Sequence, residues 1–238
     1  MDKNKQGGKI ACFEHILIND GMAIGVIAPS TVCSMSSEGS FIWGPQGIVK
    51  LSDQSNDALI IGLKAAGSLI TGSDEGIHRF NAFLQAPLTS RTASYFACTG
   101  RSCDEVNSMI ESLANKRVLI IGCGGIGSST TFLLAGAGIR NFLLVDGDLV
   151  EESNLNRQLF WSLKDIGKLK VEVLKEQLLA RFADATIEIV SRNLAIDDAL
   201  ELVATCDGVV ITADEPASFV SSAPKLAADY KVHVVAGG

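Results

Sequence analysis

The C-terminal half of the chain predicts an α/β fold, a Rossmann-like parallel sheet with helices on both faces, on three observations. Short apolar runs alternate with helix-period segments from Val118 onward. The first run ends in a glycine cluster, Gly122-Cys123-Gly124-Gly125-Ile126-Gly127, directly before a helical segment. The next run ends in an acid, Asp146.

Taken in order, Arg117-Val118-Leu119-Ile120-Ile121 reads as a strand, the small and apolar residues from Ile126 to Gly138 as a helix, and Phe142-Leu143-Leu144-Val145 as a second strand, together one βαβ unit. Lys168 to Phe182 places Val171, Leu174 and Leu178 at helical spacing, and Thr186-Ile187-Glu188-Ile189-Val190 alternates as a strand does. Asp197 to Ala204 is a short helix opened by an acid, and Asp207 to Ala213 reads as a buried strand. Pro216 suits a first helical turn, from which a helix runs to about Tyr230 before the strand Val232-His233-Val234-Val235. Strands with helices between them make a parallel sheet the economical arrangement.

Upstream of about Ser90 the pattern changes. Glycine and serine are frequent, strand-like runs occur at Met22 to Ile27, Phe41-Ile42-Trp43 and Gly47 to Leu51, and helices are predicted from Asp57 to Ala66 and from Asp74 to Leu84, ahead of Pro87. This predicts a small α+β domain over 1–90, a connector over 91–115 that contains a helix from Asp104 to Leu113, and the larger domain over 116–238.

Composition limits the chemistry. With 47% hydrophobic and 20% charged residues the chain reads as globular. The net charge of −7 and the absence of a basic stripe argue against a nucleic-acid partner. No apolar run reaches the ~20 residues that span a bilayer, and the polar N-terminus lacks a secretory signal, so the expectation is a cytoplasmic protein with no membrane partner. The six cysteines show no C-x-x-C pair and read as free thiols, several of them buried.

The glycine cluster has the G-x-G-x-x-G pattern in the strand–loop–helix context that phosphate binding needs. Its glycines permit a tight turn and a close approach of backbone N–H groups, and the helix N-terminus adds partial positive charge. Asp146, 19 residues after Gly127, stands where a carboxylate accepts from ribose hydroxyls. NAD, FAD, S-adenosylmethionine and ATP all fit this much. A triphosphate asks in addition for cations, and Asn154, Arg157 and Lys170 follow in Glu151-Glu152-Ser153-Asn154-Leu155-Asn156-Arg157-Gln158 and Gly167-Lys168-Leu169-Lys170. Read singly, Arg157 and Lys170 are ordinary solvated charges, and Lys170 at a helix start is mildly unfavourable.

Together with Asp146-Gly147-Asp148 and Thr212-Ala213-Asp214, these motifs resemble the ThiF/MoeB/HesA family of adenylating enzymes related to ubiquitin-activating enzyme, over about 116–238. The layout is most similar to the microcin-C type of member, in which a small peptide-clamp domain precedes the nucleotide domain. The resemblance implies ATP-dependent adenylation of a carboxylate on a peptide or small protein, with ATP and Mg²⁺ at the site and a homodimer as the assembly. It implies a nucleotide site of Gly122, Gly124, Gly125, Gly127, Asp146 and Asp148, in which Asp146 holds the ribose and Gly124 and Gly127 approach the phosphates. Asn154, Arg157 and Lys170 would act on the triphosphate and the transition state, and Asp214 would bind Mg²⁺. The sequence departs from the family in two places. Arg91 is followed by Ser94 where an R-x-x-R motif has its second arginine, and the family's later strands, crossover loop and C-x-x-C pairs have no counterpart, which reads as a truncated or partial chain. A NAD-dependent oxidoreductase and a non-catalytic peptide-binding remnant of the fold are the alternatives.

Overall fold

The structure is a computed structural model that describes residues 9–213 and 218–237. The chain divides into two compact units, the first ending at Glu111 and the second beginning at Ser112.

The first unit contains β1 (Ile10–Phe13), β2 (Ile16–Asn19), β3 (Met22–Ile27), β4 (Val32–Ser36), β5 (Gly39–Gly44), β6 (Gly47–Lys50), α1 (Asn56–Ala65), β7 (Leu69–Ile70), α2 (Asp74–Gln85), α3 (Ser90–Ala97) and most of α4 (Cys103–Asn115). β1, β2, β3 and β7 form one antiparallel sheet, and β4, β5 and β6 form another. Asp20 and Gly21, with φ of 50° and 82°, make the two-residue turn between β2 and β3, a geometry in which both central residues need positive φ. Helix starts are locally encoded: the Ser55 hydroxyl accepts from the Ala58 N–H at 3.2 Å, and the Ser73 hydroxyl from the Gly76 N–H at 3.0 Å.

Successive residues of β2 point to opposite faces, and each face has a core. Ile16 packs with Val26, Ile77, Phe80 and Val106, whereas Leu17 packs with Ile42, Leu63 and Leu69. Ala93 and Ala97 of α3, with Cys103, Val106 and Ile110 of α4, belong to the first of these cores. The segment expected as a connector thus supplies much of the first unit's interior. Its apolar residues lie at helical spacing and bury against α2 and the sheet, which moves the division of the chain from about residue 90 to Glu111.

The second unit comprises β8 (Arg117–Ile121), α5 (Gly125–Ala137), β9 (Asn141–Val145), α6 (Lys170–Arg181), β10 (Thr186–Val190), α7 (Ile196–Val203), β11 (Gly208–Ile211), α8 (Ser218–Tyr230) and β12 (His233–Ala236). Its five strands are all parallel, in the order β10-β9-β8-β11-β12. Pro216, expected at the start of α8, lies outside the described residues. The unbroken apolar runs follow from burial on both faces. Val118 and Ile120 of β8 pack under α5 and α6 with Phe132, Val171, Leu174 and Leu178, while Leu119 and Ile121 pack under α7 and α8 with Val203, Phe219 and Leu226. No described helix is long and apolar enough to cross a membrane.

Leu174 is completely buried, whereas Ile61 on α1 is 66% exposed. Leu174→Ala should lower the unfolding free energy by about 2–5 kcal/mol, and Ile61→Ala should stay within about 0.5 kcal/mol, as read from urea denaturation.

Candidate functional site: a cavity at the reversal of strand order

The chain passes from β8 to β9 on one side of the sheet and reaches β11 on the other. The carboxyl ends of β8 and β11 therefore diverge into loops that leave a crevice between them. In the second unit this crevice is a cavity of about 1020 Å³.

Gly122 follows β8 with φ +90°, and a Cβ there would meet the Ala213 nitrogen at 2.6 Å. The Thr212 hydroxyl donates to the Gly122 carbonyl at 2.8 Å. Gly127 lies against the same carbonyl, where any Cβ would overlap the oxygen and come within 2.7 Å of Thr212 Oγ1. Gly124 and Gly125 differ. Both line the cavity, and a Cβ would find its nearest neighbours at 3.7 Å and 3.4 Å, ordinary or slightly tight contacts. Gly124 is the N-cap of α5 and makes no side-chain cap bond, and among the described residues no side chain closes off the first-turn N–H groups of that helix.

The Asp146 carboxylate secures this loop. Its Oδ2 accepts from the Cys123 N–H at 2.6 Å and its Oδ1 from the Asp148 N–H at 2.8 Å, which ties the glycine loop to the end of β9. Cys123 is wholly buried, and burial, with Asp146 beside it, pushes its thiol well above the usual range. That keeps it protonated and unreactive.

A family model described as the ThiF family matches residues 103–238. The chain belongs to the ThiF family. It is similar to the Aspergillus niger adenylyltransferase and sulfurtransferase uba4, 39% identical over 106 residues that make up 44% of this chain and 22% of that protein. It is also similar to MoeZ of Mycobacterium tuberculosis, a probable adenylyltransferase/sulfurtransferase, 37% identical over 90 residues, 38% of this chain and 23% of that protein. The matched part thus spans less than a quarter of either relative's length. Among solved structures, E. coli MccB with AMPCPP and MccA superposes with a TM-score of 0.71 at 22% identity, over 90% of this chain and 69% of that one. PaaA superposes with a TM-score of 0.66 at 23% identity, over 88% of this chain and 72% of that one. At such identities the likeness is one of fold.

The ThiF-type cavity brings together Gly122, Gly124, Gly125, Asp146, Asp148, Asn154, Arg157 and Lys170 from the sequence expectation. Gly127 is not on its wall. It is buried beneath the Gly122 carbonyl, so close packing of α5 on the loop, rather than approach to phosphate, is what requires a glycine there. Asp214 lies outside the described residues.

Lys170 is not a solvated charge. It is 7% exposed, its Nζ pairs with Asp148 Oδ2 at 2.9 Å, and its own N–H donates to the Asp148 carbonyl at 3.0 Å. The turn after β9 folds back onto the start of α6, which covers the lysine stem and brings a carboxylate to its charge. Asn154, 6% exposed, has its carboxamide oxygen engaged by the Glu151 N–H at 3.1 Å and so shapes the turn that carries it. Arg157 is exposed and donates to the Ser153 carbonyl at 2.9 Å and to Asn156 Oδ1 at 3.1 Å.

The sequence motifs contain Gln158 and Thr212 but assign them no role, and no motif contains Arg192 or Asn193; all four also line the cavity. Gln158 had a legible signal, a polar residue leading into the apolar Leu159-Phe160-Trp161, and it is 6% exposed. Arg192 and Asn193 had none: they follow β10 without any motif, and their place on the wall comes from the sheet order.

The segment that leads into α6 is held by Asp165. Its Oδ2 accepts from both the N–H and the hydroxyl of Ser162, at 3.0 Å and 2.6 Å, and its Oδ1 pairs with Lys168 at 3.0 Å. The Ser162 hydroxyl first, and Lys168 next, lower its carboxyl to about 2.

Two outcomes follow from this geometry. Gly127→Ala should lower stability by about 1–3 kcal/mol in chemical denaturation, while Gly124→Ala should stay within about 1 kcal/mol. The folded-state value of Asp165 lies below the ~3.9 of an unfolded aspartate, so its contribution is fully present above about pH 4 and is lost as pH falls toward 2. Asp165→Asn should therefore flatten the acid limb of stability between about pH 4 and pH 2, measured by denaturation at stepped pH.

Proposed function

We propose that this site binds Mg-ATP and adenylates a carboxylate on a peptide or small protein, in the setting of modifying a ribosomally made peptide. The observation that carries the reading is the uncapped N-terminus of α5, which opens on a large cavity beside Gly124 and Gly125, with Lys170 and Arg157 on the same wall. Oriented N–H groups, room for a close approach and two cations are what a polyphosphate requires. The curated relatives named as adenylyltransferases support the same reading.

The chemistry is a displacement at the α-phosphorus. A carboxylate oxygen forms the new bond to phosphorus, and the bond to the bridging oxygen breaks as pyrophosphate leaves with its electron pair. No general base is needed, because the carboxylate is already ionised at neutral pH. The protein supplies position and charge: the loop N–H groups and Arg157 face the phosphates, Lys170 stabilises the charge that builds on the leaving group, and Asp146 orients the ribose. Asp146 retains acceptor capacity for this, since each oxygen holds one N–H and has a lone pair left.

Magnesium takes one or two carboxylates together with substrate phosphates and water, so an all-protein cage is not expected. Asp148, whose carboxylate is on the cavity wall and 59% exposed, fits that donor chemistry, and Asp214 is the one carboxylate the family resemblance assigns to the metal. Bound Mg²⁺ would neutralise phosphate charge. The first unit is proposed as the part that recognises the peptide, and the active assembly as a cytoplasmic homodimer, which light scattering tests.

Mg-ATP should raise the melting temperature in titration and NAD should not. The reverse result would favour the nicotinamide reading. Arg157→Ala and Lys170→Ala should each lower ATP–pyrophosphate exchange by about 10²-fold or more. Their stabilities should part: Arg157→Ala stays within about 0.5 kcal/mol, while Lys170→Ala loses about 1–2 kcal/mol through the buried stem and its ion pair. Unchanged exchange and unchanged ATP affinity in both variants would remove the adenylation reading.

A further inference from the structure

Gln158 and Trp161 stand three residues apart in the segment that carries Arg157, and both are buried, at 6% and 7% exposure. The segment is pinned to the helix that follows the glycine loop. Phe160 stacks on Phe132 of α5 with ring centroids 4.1 Å apart and planes 5° apart, and the Arg181 guanidinium lies 5.1 Å over the Phe132 ring. Trp161 itself sits in the core beneath α5 and α6.

An indole N–H is a donor with no lone pair, so whatever it bonds must be an acceptor. Its partner is Gln158 Oε1. The chemistry of the tryptophan therefore settles which end of the carboxamide is which: the oxygen turns inward and the NH₂ outward. Gln158 lines the cavity, and its Nε2 lies 3.7 Å from where a Gly124 Cβ would stand, at the N-cap of α5. Among the described residues this NH₂ donates to no protein acceptor, and it is not one of the fully enclosed polar atoms but opens onto the cavity. Turned the other way, the carboxamide would aim its oxygen at the uncapped N–H groups, where it would act as a cap and compete with any anion for the same donors.

We infer that Trp161 is a positioning residue of the nucleotide site, whose N–H fixes the Gln158 carboxamide so that a neutral donor, and not an acceptor, faces an anion bound at the start of α5. The inference rests on the ATP reading. It adds two residues outside the motif roles, Gln158 in contact with the phosphates and Trp161 acting through it.

The test compares ATP with adenosine, which lacks the anion, by calorimetric titration of the full chain. Gln158→Glu keeps an acceptor for Trp161 and turns the outward end into an anion. ATP affinity should fall at least about tenfold, the size of a lost bond to a charged group, while adenosine affinity stays within about twofold. Trp161→Phe keeps an aromatic ring but frees the carboxamide, so it should weaken ATP several-fold, spare adenosine, and add nothing in a Gln158→Met background. Equal losses for ATP and adenosine in Trp161→Phe, or additive losses in the cycle, would show a structural role and overturn the inference. Should Trp161→Phe not fold, Gln158→Glu decides: an unchanged ratio of ATP to adenosine affinity overturns the inference, and a lowered ratio supports it. Wild-type chain that fails to bind ATP would sink the nucleotide reading and this inference with it, whereas binding that Gln158→Glu leaves intact sinks the inference alone.

Discussion

The Gly122 carbonyl is held between two elements far apart in sequence: the Thr212 hydroxyl donates to it from the end of β11, and Gly127 packs directly against it from α5. This contact sets how closely the first strand, its helix and the fourth strand of the parallel sheet approach one another. If the helix stood further from the strand end, its N-terminus would not open on the crevice. If β11 stood further away, the crevice would lose its wall. The three glycines of the pattern therefore divide their work. Gly122 and Gly127 are required by the fold itself, whereas Gly124 stands on the cavity wall with room for a Cβ.

Electrostatic order in the site is in place without any ligand. Asp146 uses one oxygen on the loop and one on its own turn, and Asp148 meets the buried Lys170. The lysine stem is covered and its charge is balanced by a carboxylate that is itself half exposed, so solvent carries part of the cost of burial. Asp165 and Ser162 brace the segment that delivers α6 and hence Lys170. Groups held this way need little reorganisation when charge develops, which is the condition under which fixed dipoles and ions act most strongly on a reaction.

Legibility in the sequence follows the strength of local signals. Strands buried on both faces leave unbroken apolar runs, and β8, β9 and β11 lie where those runs predict them, while the edge strand β10 is legible from its alternation. In the first unit the half-buried or exposed strands were harder to see. β4 is exposed along its whole length, and β7 is two residues long, so neither carries a period. The strand β2 had a readable cue in Asp20-Gly21, a two-residue turn signal that pairs it with β3. Helix α3 lacks a side-chain cap and follows a proline-containing loop, and it becomes a core element only because Ala93 and Ala97 meet α2 and α4.

By itself, the sequence determined the alternation of strands and helices in the second unit, the phosphate-type loop and the set of charged residues near it. These are local properties: periodicity, glycine where φ must be positive, and residue type along one segment. Only the tertiary structure decided that Lys170 is buried against Asp148, that Gly127 serves packing, that Arg192 and Asn193 reach the cavity wall, and that Trp161 sets the direction of Gln158. Each of these depends on a partner or neighbour brought alongside by the order of strands in the sheet or by the folding of a loop. Residue type alone does not specify which atoms will face each other there, because that is fixed by the packing of the whole unit.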